Sequence, residues 1–229
     1  VPPEPSGPVV IVTARNEAER IADTVRSAAE AFPGARVLVV DGGSSDRTAE
    51  LAAEAGAELL RAGAHGGKGH SMTVAARRAL EDDGAKERMF ILCDGDLGAS
   101  AGRLAPLADA VASGRCDLAV AAFARKQGGG LGVAVGFARR AIRRLVGVEL
   151  RAPISGQRAM RGATVARLLP FAEGFRVEIG MTVDAVRAGL RLEEVDLDLE
   201  HRATGRNAAG FVHRGRQLVD FMHVYLSRR

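Results

Sequence analysis

Short runs of β-branched and apolar residues recur through the first half of the chain, and each ends on polar or acidic residues. "PVVIVTA" (8–14) leads into "RNEAER", "ARVLVVD" (35–41) into "GGSSD", and "RMFILCD" (88–94) into "GDLGAS". Between these runs the apolar spacing changes to that of a helix. Residues 16–32 place Ile21, Val25 and Ala28–Ala29 on one helical face, and 68–81 do the same with Met72, Ala75, Ala76 and Leu80. A shorter helix is expected from about Arg47 to Ala55, with "AELLRA" after it as a short strand. Strand and helix alternating through short loops predict an α/β fold, with a mostly parallel central sheet and helices on both faces.

The second half is less regular. "DLAVAAFAR" (117–125) reads as a strand, "KQGGGLG" (126–132) as a loop and "VAVGFARRAIRRLVG" (133–147) as a helix. A helix over 177–189, an alternating strand over 190–201 and a closing helix over 211–229 follow. The last carries Phe211, Gly215, Leu218, Met222 and Tyr225 on one side, fit to pack on its own sheet or on a second subunit in a homodimer. No internal repeat is present. The Pro-rich residues 1–7 are expected to be an unstructured lead, and 8–229 a single domain.

No apolar run approaches the ~20 residues that a membrane-spanning helix needs, and the first residues lack the features of a signal peptide. Cys93 and Cys116 sit in apolar runs and read as small hydrophobes rather than a disulfide. These features predict a soluble cytoplasmic protein. The formal net charge is +4, and of the 32 Lys and Arg residues all but Lys68, Lys86 and Lys126 are arginine. Guanidinium donates bidentately to phosphate. With 4% aromatic residues and no nucleic-acid-binding signature, a nucleic-acid partner is not expected.

In parallel sheets ligands bind beyond the carboxyl ends of the strands. The residues there are Thr13–Glu17, Asp41–Asp46 and Asp94–Asp96, three sequence-distant polar clusters expected on one rim. Asp94 and Asp96, separated only by Gly95, would repel each other. A divalent cation with a diphosphate cancels that repulsion, and hard oxygen ligands suit Mg²⁺ or Mn²⁺; a solvated turn is the alternative. Asp41 can hold a base or ribose, or simply start a helix turn capped by Ser45 or Asp46. "GGKGHSM" (66–72) sets Lys68 between glycines at a helix start, which suits diphosphate.

"VVIVTARNEAERIADTV", "VLVVDGGSSDRT", "GGKGHSM" and "ILCDGDLGAS", in this order, resemble the nucleotide-sugar half of family 2 glycosyltransferases with the GT-A fold, over about residues 8–122. The resemblance implies that Ala14, Asn16, Glu17 and Asp41 contact the nucleoside and that Lys68 reaches the donor. It also implies that Asp94 and Asp96, with Gly95 between them, hold a metal. Gly98 departs from the pattern, because polyprenyl-phosphate mannose synthases often carry a metal-ligating Gln there. Residues 123–229 would be the acceptor half. "PISGQRAMRG" (153–162), with Ser155 and Arg158, is similar to a segment of dolichyl-phosphate mannose synthase-like enzymes. Residues 173–206 look like the corresponding stretch of those enzymes and also of glucosyl-3-phosphoglycerate synthases. In the latter a histidine completes the metal site, so His201 is the third candidate ligand.

Glu178 has two readings, a helix-start carboxylate favoured by the dipole or the acceptor-side general base or hydroxyl-positioning group. For an acceptor that is itself a phosphate, Arg125, Arg158 and Arg202 are the expected clamp. The basic stripe of 133–147 is either a solvated face or a peripheral contact with an anionic membrane surface. Together these features predict a metal-dependent hexosyltransferase using a UDP- or GDP-hexose, with Asp96, Lys68 and Glu178 at its chemistry. A phosphate-bearing acceptor is expected, polyprenyl phosphate first and a small phosphorylated acid such as 3-phosphoglycerate second. A nucleotidyltransferase and a non-catalytic nucleotide-sugar-binding protein are the alternatives.

Overall fold

The computed structural model describes residues 7–63, 67–123, 132–173 and 177–199. Arg125, His201, Arg202 and the helix expected over 211–229 lie outside the described residues. In chain order the elements are β1 (Val9–Ala14), α1 (Ile21–Ala31), β2 (Arg36–Asp41), α2 (Thr48–Glu54), β3 (Glu58–Arg61), α3 (Gly67–Leu80) and β4 (Met89–Asp94). A 3-10 turn (Gly98–Arg103) follows, then α4 (Ala105–Ala112), β5 (Leu118–Phe123), α5 (Gly132–Val146), β6 (Arg158–Arg161), α6 (Gly162–Leu168), α7 (Val177–Arg187) and β7 (Leu192–Leu197).

The strands form one sheet in the order β3-β2-β1-β4-β6-β5-β7. Every pairing is parallel except those of β6, which runs antiparallel between β4 and β5. Strand alternation feeds two cores. Val10 and Val12 of β1 face α1 and α4, whereas Val9 and Ile11 face α3 and, farther along the sheet, α6 and α7. All four are fully buried, as expected for an interior parallel strand. Cys93 and Cys116 pack as unpaired thiols in the first core. A third, smaller core joins Ala138 and Ile142 of α5 to Ile179 and Val183 of α7. Among the described residues no helix is long and apolar enough to cross a membrane.

Within the described residues the helices and strands read from apolar spacing are present, with two kinds of difference. The first helix starts at Ile21 rather than 16, because Asn16 takes a left-handed φ of 57° and residues 15–20 form turns instead. Helices α4 and α6 and strand β6 carry no strong periodic signal: β6 is only "RAMR", four residues with an arginine at each end. Gly7, counted with the unstructured lead, is pinned. Its carbonyl accepts from Arg88 Nε at 2.8 Å, and a Cβ there would lie 2.2 Å from the Gly34 carbonyl oxygen.

Register does the work of assembling the rim. Ala14 pairs with Asp41 on one side of β1, and Thr13 pairs with Asp94 on the other. Both following turns lean back onto β1: Gly42 N–H donates to Ala14 O at 2.9 Å and Gly95 N–H to Thr13 O at 3.0 Å. A Cβ on Gly95 would meet the Ala14 Cβ at 2.8 Å, so the residue between the two aspartates has to be glycine. Strand order reverses at β1–β4, which opens the crevice where such sheets bind ligands.

Thr24, on the apolar face of α1, holds the acidic turn from below. It is fully buried, donates to Gly95 O at 2.9 Å and accepts from Gly98 N–H at 2.8 Å. Gly98 itself has φ 54°, a conformation that disfavours any side chain, which accounts for glycine where a glutamine was expected by resemblance. Replacing the hydroxyl by a methyl strands a buried donor and acceptor. Thr24→Val is therefore expected to destabilise the protein by about 1–3 kcal/mol, measured as a lower urea midpoint with unchanged m-value.

Candidate active site

Two loops wall one side of the crevice. In the first, the positive φ of Asn16 turns its side chain across to the second loop, where Oδ1 accepts from Ser45 N–H at 2.9 Å. Ser44 Oγ accepts from Asn16 N–H at 3.0 Å, and Glu17 N–H donates to Thr48 Oγ at 2.8 Å. Asp41, 7% exposed, receives both the N–H and the hydroxyl of Ser44. The N-cap of α2 is Arg47, with no side-chain cap bond, and neither Ser45 nor Asp46 as foreseen; the Asp46 carboxylate instead accepts from the Thr48 hydroxyl and N–H, and that hydroxyl bond holds it below the usual carboxylate range. The loops thus brace each other, with Ala14, Asn16, Glu17 and Asp41 on one wall.

The opposite wall is built around Lys68 in the first turn of α3. Its Nζ lies 2.6 Å from Asp94 Oδ1 and 2.7 Å from Glu178 Oε1. Burial opposes the charge, but the two carboxylates outweigh burial and hold the ammonium above the usual lysine range. Lys68 is therefore a fixed cation and holds its proton at neutral pH. Glu178, in the first turn of α7, is 6% exposed. Three elements far apart in sequence meet at one nitrogen.

Residues that the sequence reading passed over complete the arrangement. Gln157 Nε2 donates to Asp94 Oδ2 at 2.8 Å, while Ser155 Oγ donates to Gln157 Oε1 at 3.0 Å. That second bond turns the amide so that its NH₂ faces the aspartate. Gly156 leaves the space above: a Cβ there would sit 2.5 Å from both Asp94 Oδ2 and Lys68 Nζ. Gln157 is fully buried, and nothing in the sequence signals it.

Arg158 requires a correction. Expected as a clamp on an acceptor phosphate, it is 1% exposed and braces the wall from inside. Its Nε donates to Ser155 O at 3.0 Å and its Nη1 to Thr182 Oγ at 3.0 Å, and Thr182 Oγ donates to Glu178 O at 2.9 Å. The cause is the insertion of β6 between β4 and β5, which puts Arg158 in the sheet interior. Burial pushes its guanidinium down to about 10, so it stays a cation at neutral pH. Ser155, 3% exposed, likewise orients Gln157 rather than presenting itself to a ligand.

A metal fits the donor set present. Asp94 and Asp96 offer hard oxygens at the mouth of a crevice kept open by Gly95 and Gly156. Among the described residues no third His, Cys, Asp or Glu joins them. Two carboxylates suffice for Mg²⁺ where substrate phosphates and water complete the shell. His201, the third ligand expected by resemblance, lies outside the described residues, as do Arg125 and Arg202. The cation, the carboxylates and the braced loops form a site able to hold a metal–diphosphate on one side and to orient a hydroxyl or anion on the other.

Comparison with known proteins accords with this geometry. Glycosyltransferase AglJ of Haloferax volcanii is 30% identical over 208 residues, covering 89% of this chain and 66% of its own length. The chain thus spans less than the whole of that relative. Glucosyl-3-phosphoglycerate synthase from Mycobacterium tuberculosis shares the fold. Its complex with Mn²⁺, UDP and glucosyl-3-phosphoglycerate gives a TM-score of 0.77 at 25% identity, over 97% of this chain and 80% of that one. Its complex with Mg²⁺ and UDP gives 0.75 at 26%, over 97% and 79%. The pattern of the family described as "Glycosyl transferase family 2" matches residues 9–159. With the rim of β1, β2 and β4 inside that span, the chain belongs to glycosyl transferase family 2 and carries its GT-A fold.

Proposed function

We propose that the chain transfers a hexose from a nucleoside-diphosphate sugar, UDP-glucose first, to a phosphate-bearing acceptor. The observation that carries this reading is Lys68 Nζ set between Asp94 and Glu178. One carboxylate belongs to the metal-side pair and the other comes from α7, so in this reading donor and acceptor groups flank one fixed cation. Family membership supports the reaction class. Solved complexes of the synthase with Mn²⁺, UDP-glucose and phosphoglyceric acid support the donor class and a phosphorylated acceptor.

In this reading Asn16, Glu17 and Asp41 line the nucleoside pocket, and Asp94 and Asp96 hold Mg²⁺ or Mn²⁺. Bound there, the ion would offset charge on the departing diphosphate. Lys68, already charged and partly desolvated, does the same from the protein side, a preorganised electrostatic contribution. Gln157 and Gly156 keep Asp94 turned toward the crevice. Glu178 accepts from, or positions, an acceptor hydroxyl. Polyprenyl phosphate remains the first acceptor, on the resemblance of 153–162 and 173–206. A phosphorylated small acid is the second, favoured by the synthase complexes. For a phosphate nucleophile no base is needed, and the clamp falls to Arg125 and Arg202, since Arg158 is enclosed.

Calorimetric titration of UDP-glucose and GDP-mannose, with and without Mn²⁺, tests the donor half. Metal-dependent binding of one nucleotide is expected in the wild type and its loss in Asp96→Ala; no metal-dependent binding of either would overturn the proposal. Transfer of labelled sugar to polyprenyl phosphate or to 3-phosphoglycerate then decides the acceptor, inversion fitting the first and retention the second.

Gly156→Ala is expected to fold, because its new Cβ meets the ends of two side chains rather than backbone, and yet to lose metal-dependent nucleotide binding. Gln157→Leu is expected to weaken Mn²⁺ binding about 10- to 100-fold, the usual effect of removing a group that orients a ligand. Equilibrium Mn²⁺ titration beside a melting curve separates both effects from unfolding.

A further inference from the structure

Helix α5 presents a problem of charge that the family fold does not resolve. Its buried side, Ala138 and Ile142, packs on Ile179 and Val183 of α7. Its other side carries Arg139, Arg140, Arg143 and Arg144, and no acidic residue occurs from Gly132 to Val146. Like charges one turn apart, as in 139/143 and 140/144, destabilise a helix. Elsewhere some exposed arginines are matched locally, Arg26 by Asp23, Arg47 by Glu50 and Arg78 by Glu81, and those that are not, such as Arg15, Arg61 and Arg77, lie on separate elements rather than together on one helical face.

Around α5 the matching is partial. Arg143 reaches Glu149 at 3.0 Å. Arg151, on the segment that follows, pairs with Asp196 at 2.8 Å. Arg139 donates to the backbone carbonyls of Leu150 and Arg151, which fixes its guanidinium but leaves its charge uncompensated. Arg140 and Arg144, both exposed, have no partner among the described residues. Two hollows open on this side. One, of about 520 Å³, is bordered by Arg139, Arg140, Arg143 and Arg151 with a single acid, Glu149. The other, of about 220 Å³, runs along one helical stripe, with Phe137 and Ala141 as its apolar lining between Arg140 and Arg144.

We propose that this face of α5 docks the protein on an anionic lipid bilayer, with Arg139, Arg140 and Arg144 pairing with lipid phosphates. Charge complementarity chooses the occupant. Arg139, Arg140 and Arg144 have no acidic partner among the described residues, and two hollows open between them. With the apolar side of the helix packed on α7, the attraction is that of a basic face for an anionic leaflet. A soluble anion would satisfy one hollow and leave the other, with Arg144, unaccounted for. The opposite side of α5 packs on α7, whose first turn carries Glu178, so the docking helix is the neighbour of the one that borders the crevice. The proposal does not depend on the transferred sugar or on the acceptor.

The test is co-sedimentation of the full chain with vesicles of phosphatidylcholine alone and of phosphatidylcholine with phosphatidylglycerol. Binding is expected only to the anionic vesicles and is expected to weaken as salt rises. Arg140→Gln with Arg144→Gln is expected to reduce partitioning about 30-fold, from about a fivefold loss for each cation removed from an anionic surface. Arg140→Lys with Arg144→Lys is expected to stay within about threefold of the wild type. Binding that ignores lipid charge, or that survives the glutamine pair unchanged, overturns the proposal, as does a lysine pair as weak as the glutamine pair. Melting curves show that the variants are folded. Nucleotide titration of the same samples reports on the donor site separately, so a failed donor reading leaves the vesicle result standing.

Discussion

One ammonium group determines how the crevice is put together. Lys68 brings α3, β4 and α7 to a single point by lying 2.6 Å from Asp94 and 2.7 Å from Glu178. Without it two carboxylates would face each other in a half-enclosed space, where like charges are costly. With it, each carboxylate is held in one orientation. The bonds continue from there: Gln157 to Asp94, Ser155 to Gln157, Arg158 to Ser155 and Thr182, and Thr182 to Glu178. The chain of contacts closes on itself. Ion pairs of this kind are poor sources of net stability, but a hydrogen-bonded polar network does fix geometry, here with Arg158 Nη2 left without a partner among the described residues, and geometry is what a transfer site needs.

The network is seated on a plain backbone frame. β1 contributes almost nothing polar, yet both functional loops hang from it through the bonds to Ala14 O and Thr13 O. Small residues make this possible. Ala14 against Gly95, and Gly156 above Asp94 and Lys68, leave approach distances that any added methyl would close. Below the turn, Thr24 supplies the hydrogen bonds that the tight Asp94-Gly95-Asp96 passage cannot make within itself. The acidic turn is therefore seated by packing of small side chains and one buried hydroxyl, and its carboxylates and carbonyl are then held by Lys68, Gln157 and Arg20.

This division explains what could be read in the sequence. Parallel strands buried on both faces announce themselves as β-branched runs, and the residues at their ends fall on one rim by topology alone, so Asn16, Glu17, Asp41, Asp94 and Asp96 were legible. Lys68 and Glu178 were legible as helix starts and, through resemblance, as site residues; that they share a contact was not, because 110 residues separate them. Gln157, Thr24 and Thr182 escaped notice because a neutral side chain acquires its role only from what lies across from it. Arg158 was misread for a related reason. Four residues with an arginine at each end look like surface, and only the antiparallel pairing of β6 with β4 and β5 shows that the strand is interior. The α5 stripe was legible as a pattern but ambiguous in meaning until its partners could be seen.

The charge balance of the crevice bears on how ligands would enter it under the proposed reaction. At rest Lys68 and the enclosed Arg158 stand against Asp94, Asp96 and Glu178, a cluster close to neutral. A divalent cation arriving alone would be drawn to Asp94 but would have to share it with Lys68, whose ammonium already holds one oxygen while Gln157 holds the other. A nucleoside diphosphate arriving alone would meet Lys68 but also three carboxylates. Each ligand by itself disturbs the balance, whereas the two together restore it, with the diphosphate taking Lys68 as the cation takes Asp94. Electrostatics of this kind favours the metal–nucleotide pair over either component. The same fixed cation that joins the carboxylates thereby becomes the means by which the crevice would prefer a loaded donor.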